Sequence, residues 1–220
     1  MSDLDIMSIL HKRTERDYVQ RVVEYDKAEC ATVAKRWGFD YWDGDRRYGF
    51  GGYHYDGRWA PVAQALAKHY QLSAGMRVLD VGCGKAFLLY ELQQLVPGLI
   101  VAAIDVSQYG IDQAQESIQP FLQCTKADYL PFDDDEFDLV ISINTLHNLY
   151  NFELMSAFKE MQRVGKNHRY TCVESYRNES EKANLLYWQL TCESFYTPEE
   201  WRWFAQLSGY EGDFDFIYFE

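Results

Sequence analysis

From Met76 to the end of the chain, short apolar runs alternate with amphipathic stretches, and this alternation narrows the possible folds more than any other feature. Strands are predicted at 76–82, 99–106, 121–128, 137–144 and 170–176, with a last one at 214–219. Between most of them, residues 86–96, 109–118 and 154–164 space their apolar positions as helices do. Strand and helix in alternation predict an α/β fold: a doubly wound, mostly parallel sheet with helices on both faces. Thr197-Pro198-Glu199-Glu200 predicts a late helix, with Thr as cap, Pro at its first position and Glu at its third.

The sharpest segment is Val78-Leu79-Asp80-Val81-Gly82-Cys83-Gly84-Lys85-Ala86, a buried strand followed by a glycine-rich turn and a helix. Glycine permits positive φ and lets a ligand approach without a Cβ in the way. In open α/β sheets the first such crevice binds nucleotides. A dinucleotide fingerprint needs a third glycine where Phe87 stands, and a phosphate-binding P-loop needs glycine at Leu79 and Ser or Thr at Ala86. Both fail. What remains is an acid at the strand end followed by G-x-G, which suits a ligand without phosphates.

This segment resembles the first motif of class I S-adenosylmethionine-dependent methyltransferases, an acid followed by three alternating glycines, with Ala86 in place of the last. Three further segments follow in the family's order, so that the resemblance spans roughly residues 57–175. It implies a Rossmann-like sheet with an antiparallel strand near its end. Residues 214–219 would then close a short hairpin, or one completed by residues 185–195. It implies S-adenosyl-L-methionine as cofactor, held by Asp80, Gly82 and Gly84. Asp105 would accept from the ribose hydroxyls with Val106 beside it, and Asp128 would take the adenine amino group. Backbone N–H groups of Tyr129 or Leu130 would face the ring, and Asn144, Leu146 and His147 would stand at the mouth of the fourth motif. The likeness to ubiquinone-pathway enzymes lies in these cofactor motifs and names no substrate.

The cofactor carries a sulfonium, an ammonium and a carboxylate. Arg58 is the candidate for the carboxylate, with Tyr48, Tyr55 or Trp59 closing over the ligand; Tyr55 is also a candidate for acceptor contact. Methyl transfer needs alignment and exclusion of water, and an acceptor that must lose a proton also needs a base. His147 is the first candidate base, on its ordinary pKa of roughly 6.5. Glu174, Tyr176 and Arg177 follow at the end of the fifth strand, where they could orient a polar or anionic acceptor.

Ahead of this region, residues 1–56 read as a helical cap and a Gly/Tyr-rich loop, and residues 57–220 as the methyltransferase domain. Asp26 with Glu29 predicts a capped helix ending at Gly38, and Asp56 is placed to cap the next. The net charge of −13 opposes duplex nucleic acid, whose only basic footholds are His11-Lys12-Arg13 and Arg46-Arg47. The fourth motif reads Asn-Thr-Leu-His and not the Pro-Pro-Tyr turn of adenine amino methylases, which also argues against DNA. No run reaches the roughly 18–20 apolar residues of a membrane span, and the start lacks the order of a signal peptide. Five cysteines without a C-x-x-C pair point to a reducing, cytoplasmic compartment. Asp133-Asp134-Asp135-Glu136 reads as a solvated turn, and no metal is expected.

The acceptor expected is a small metabolite, such as a sugar derivative or natural-product intermediate, methylated on oxygen or nitrogen. Two other readings stand beside it. One is an NAD-dependent oxidoreductase, which Phe87 and Asp80 argue against. The other is a non-catalytic partner or regulatory subunit that keeps the cofactor pocket.

Overall fold

The computed structural model describes residues 2–10 and 17–220. The basic cluster His11-Lys12-Arg13 lies outside the described residues. An N-terminal helical part comprises α1 (Tyr18–Glu24), α2 (Lys27–Ala34) and the single turn α3 (Phe39–Trp42). The α/β part follows as α4 (Ala60–His69), β1 (Arg77–Val81), α5 (Phe87–Leu95), β2 (Ile100–Asp105), α6 (Gln108–Asp112) and β3 (Leu122–Cys124). It continues with β4 (Phe137–Ile143), α7 (Asn151–Val164), β5 (Gly165–Glu174), α8 (Glu179–Trp188), α9 (Pro198–Ser208) and β6 (Asp213–Ile217).

The strands form one sheet in the order β3-β2-β1-β4-β5-β6, and every pairing is parallel. Side chains alternate across it. Val78 joins Leu66, Leu89 and Tyr170 on one face. Leu79 and Val81 join Phe158, Val164 and Trp201 on the other. After β3 the chain returns to the far side of β1, so the strand order reverses between β1 and β4. That is the switch point where such sheets form a crevice.

The expected antiparallel strand is absent among the described residues. Between β5 and β6 the chain makes α8 and α9, and a crossover of this length delivers β6 parallel to its neighbour. Residues 185–195 complete no hairpin: α8 takes the first part, and the amides of Glu193 and Ser194 donate to the His147 carbonyl at 2.9 and 3.0 Å. The outer edge of β6 meets the N-terminal strap. Leu4 N–H donates to the Phe214 carbonyl at 2.7 Å, and Phe214 N–H to that of Ser2 at 2.9 Å. Buried Asp215 then accepts from the amides of Ile6 and Met7 and from Tyr170 Oη, at 2.7–2.8 Å.

Local expectations met mixed outcomes. Asp26 accepts from Glu29 N–H as a cap, and Thr197 with Glu200 forms the full capping box. The helix after Asp26 ends at Ala34, short of Gly38, because Trp37 turns left-handed. Asp56 does not cap α4. Its carboxylate is taken by the amide and guanidinium of Arg58, and α4 begins after Trp59 without a side-chain cap.

Candidate active site

The glycine turn sits at the carboxyl end of β1. Gly82 has φ of +84°, and a Cβ there would collide with Thr145 at the end of β4. A Cβ at Gly84 would lie 2.6 Å from the Trp42 ring. Close packing of the protein on itself therefore demands these glycines, in addition to any ligand. Ala86, the family's third glycine, has φ of +53°. The position requires a left-handed backbone as well as a small side chain, and a Cβ there costs about 1–2 kcal/mol.

Two buried carboxylates flank this turn. Asp80 lies beneath it with no ion pair among the described residues. Burial, reinforced by the charge of Asp105, pushes its carboxyl up to about 8. Asp105, at the end of β2, accepts from the amides of Gly84 and Ser107, both at 2.7 Å. Burial raises its pKa and these amide bonds oppose the rise. Each of its oxygens keeps lone-pair capacity for a further donor. Val106 and Tyr129 are exposed and Asp128 is half-buried beyond β3. The Leu130 N–H is not open to a ligand, because it donates to Glu160 at 2.9 Å.

Residues 37–55 roof the turn, and sequence reading missed how. Trp42 stacks on Phe50, leans on Tyr53, and donates its Nε1–H to Ser107 Oγ at 2.9 Å. Tyr53 in turn packs on Phe87, which explains an aromatic where a dinucleotide site has glycine. Beside Trp42, Asp43 binds Lys85 Nζ through both oxygens at 2.8 and 2.6 Å, and accepts from Tyr109 Oη and Tyr53 N–H. Lys85 is only 3% exposed. In the sequence it is merely a lysine in a failed P-loop; its partner stands 42 residues away. Tyr41 reaches over the crevice: burial, then the charges of Glu174 and Asp105, raise its phenol far above the ordinary range.

At the acceptor end, Asn144 follows β4 in a left-handed conformation, and its Oδ1 is buried without a hydrogen-bond partner. His147 is buried, and burial pushes its imidazole down to about 3. Its Nδ1 accepts the Glu174 N–H at 3.3 Å, which leaves the proton on Nε2, 3.6 Å from the Glu174 carboxylate. The premise of a near-neutral base at His147 therefore fails. Its free lone pair is engaged and its conjugate acid is strong. Glu174 is buried at the end of β5 and accepts from Gln189 Nε2.

Other candidates have partners of their own. Arg58 is held by Asp56 at the surface. Tyr48 packs with Cys30, Ala34 and Leu190 beneath Arg47. Tyr55 donates to Glu91 at 2.7 Å. Tyr176 packs in the core under Lys182. Arg177 does not pair with Glu174; Glu181 and Glu220 hold its guanidinium over Tyr218. The structure thus brings together Asp80, Gly82, Gly84, Asp105, Asn144, His147 and Glu174 at one sheet edge, and adds Tyr41, Trp42, Asp43 and Lys85.

Comparison with known proteins bears on the family and the fold. The family described as "Methyltransferase domain" matches residues 72–209. A sterol 24-C-methyltransferase of Gibberella zeae is 31% identical over 107 residues, 46% of this chain and 28% of that protein. A demethylmenaquinone methyltransferase of Roseiflexus castenholzii is 30% identical over 138 residues, 60% of this chain and 56% of that one. The chain thus spans only about a quarter to a half of these relatives' lengths. Among solved structures, the methyltransferase in complex with the Haloferax volcanii Trm112 activator has a TM-score of 0.56 at 22% identity, covering 70% of this chain and 73% of that one. This likeness is one of fold. From the matched residues and the motifs they carry, the chain belongs to the class I S-adenosylmethionine-dependent methyltransferase family.

Proposed function

We propose that this protein transfers the methyl group of S-adenosylmethionine to a small-molecule acceptor held between β4, β5 and segment 37–55. The observation that carries the reading is Asp80, buried beside the glycine turn with its carboxyl pushed up to about 8. A cationic ligand would offset that burial, and the cofactor family uses is a cation. When bound, the cofactor supplies a methyl group activated by positive sulfur. Asp80 would hold its ammonium and Asp105 its ribose hydroxyls, with Asp128 toward the adenine. Trp42, Tyr53 and Tyr41 exclude water above the turn, the condition under which alignment accelerates displacement.

Where the acceptor must lose a proton, Glu174 is the group to take it, since His147 is held neutral and engaged. His147 then serves to fix the end of β5. The relatives act, by their names, on a sterol carbon and on a demethylmenaquinone, so carbon joins oxygen and nitrogen as an acceptor atom to be screened. No helix among the described residues is long and apolar enough to cross a membrane, and all five cysteines are unpaired; a cytoplasmic location fits this reading.

Calorimetric titration with S-adenosylhomocysteine, with NAD in parallel, tests the reading. Binding of the former, weakened at least about ten-fold (about 1.4 kcal/mol) in Asp105→Ala, is expected. Absence of binding, or binding of NAD alone, would overturn it.

A further inference from the structure

We propose that Asp43 determines the site's preference for the charged cofactor over its spent product, by cancelling the charge of Lys85. The inference rests on the cofactor reading above. Lys85 directly follows Gly84, whose amide is bonded to Asp105 at 2.7 Å. It therefore lies on the turn that cradles the ligand. In a P-loop a lysine there would meet a phosphate, but this turn lacks the P-loop pattern and this ligand lacks the phosphate. S-adenosylmethionine carries a sulfonium and an ammonium. A bare buried ammonium on the same turn would repel it, and in a site shut off from water such repulsion is weakly screened.

Asp43 removes the conflict. Both its oxygens bind Lys85 Nζ, at 2.8 and 2.6 Å. Lys85 is 3% exposed and the Asp43 side chain 10% exposed, so the pair is neutralised inside the protein and not by solvent. Tyr109 Oη and the Tyr53 amide fix the same carboxylate at 2.8 and 3.0 Å. Asp43 is thus held by the same segment that packs Trp42 against Gly84 and Ser107. The product, S-adenosylhomocysteine, has a neutral sulfur and feels the lysine one charge less.

The test compares the affinities of S-adenosylmethionine and S-adenosylhomocysteine in four proteins by calorimetry. In Asp43→Asn the charged cofactor should lose at least about ten-fold more affinity than the product, a difference of about 1.4 kcal/mol. In the Asp43→Asn/Lys85→Met double variant the ratio of the two affinities should return toward that of the unaltered protein. A residue that only held the segment down would weaken both ligands alike, and the second substitution would not rescue the ratio. Lys85→Met alone should shift the ratio toward the charged cofactor, and it carries the test if Asp43→Asn does not fold. Equal losses in Asp43→Asn, or an unchanged ratio in Lys85→Met, would overturn the proposal while leaving the cofactor reading intact. If the unaltered protein bound neither ligand, the cofactor reading itself would fall and this proposal with it.

Discussion

Burial favours the neutral forms of Asp80 and His147, and each leaves a mark on stability. The Asp80 carboxyl is raised from 3.8 to about 8, so the folded state holds its proton between those values while the unfolded chain has lost it. Its contribution to stability is therefore lost as pH rises through that window. At pH 7, Asp80→Asn should stabilise the ligand-free protein by on the order of a few kcal/mol in urea unfolding, and weaken S-adenosylhomocysteine binding. Lower stability, or unchanged affinity, would contradict the role given to this carboxyl. His147 runs the other way. Lowered from 6.5 to about 3, it stays neutral while the unfolded chain takes up a proton. Stability then falls as pH drops from 6.5 toward 3, by up to about 1.4 kcal/mol per pH unit. Between pH 4 and 6.5 this slope opposes that of Asp80, so His147→Asn should leave stability falling more steeply as pH rises, in unfolding measured across pH 4–7.

Elements differ in how far they could be read from the chain. β1, β2 and β4 are mostly apolar and lie inside the sheet, so their sequence and their burial agree. β3 is an edge strand of three residues, shorter than the predicted eight, because only Leu122–Cys124 reaches β2. The family resemblance allowed residues 185–195 to complete a closing hairpin; Trp188 instead packs the N-terminal cap, where it meets Tyr18 and Arg21. Within the site, Asp80, Asp105 and the glycines were legible because they sit at fixed offsets from strand ends. Asp43 and Lys85 were not, since their pairing is tertiary and follows no spacing rule. Capping was legible where donor and acceptor are three residues apart, as at Thr197 and Glu200. Thr197→Ala should cost about 1 kcal/mol in urea unfolding with cofactor affinity unchanged.

Across the whole molecule, the sheet's last strand depends on the chain's first residues. Asp215 holds the amides of Ile6 and Met7 and the Tyr170 hydroxyl in a buried position. Asp215→Ala would leave three buried donors unsatisfied and should lower stability by roughly 3 kcal/mol, read from the urea midpoint. A change below about 0.5 kcal/mol would show that the strap contributes nothing to the sheet.

The same contact has a consequence for biosynthesis. Ser2 donates to Asp213, 211 residues away. At roughly 5–20 residues per second, the strap waits about ten to forty seconds after it is made before its partner strand exists. Through that interval its amides have nowhere native to go. β6 cannot be edged nor Asp215 paired until residues 213–217 have been made, so until then the nascent chain presents an unclosed sheet to chaperones and proteases.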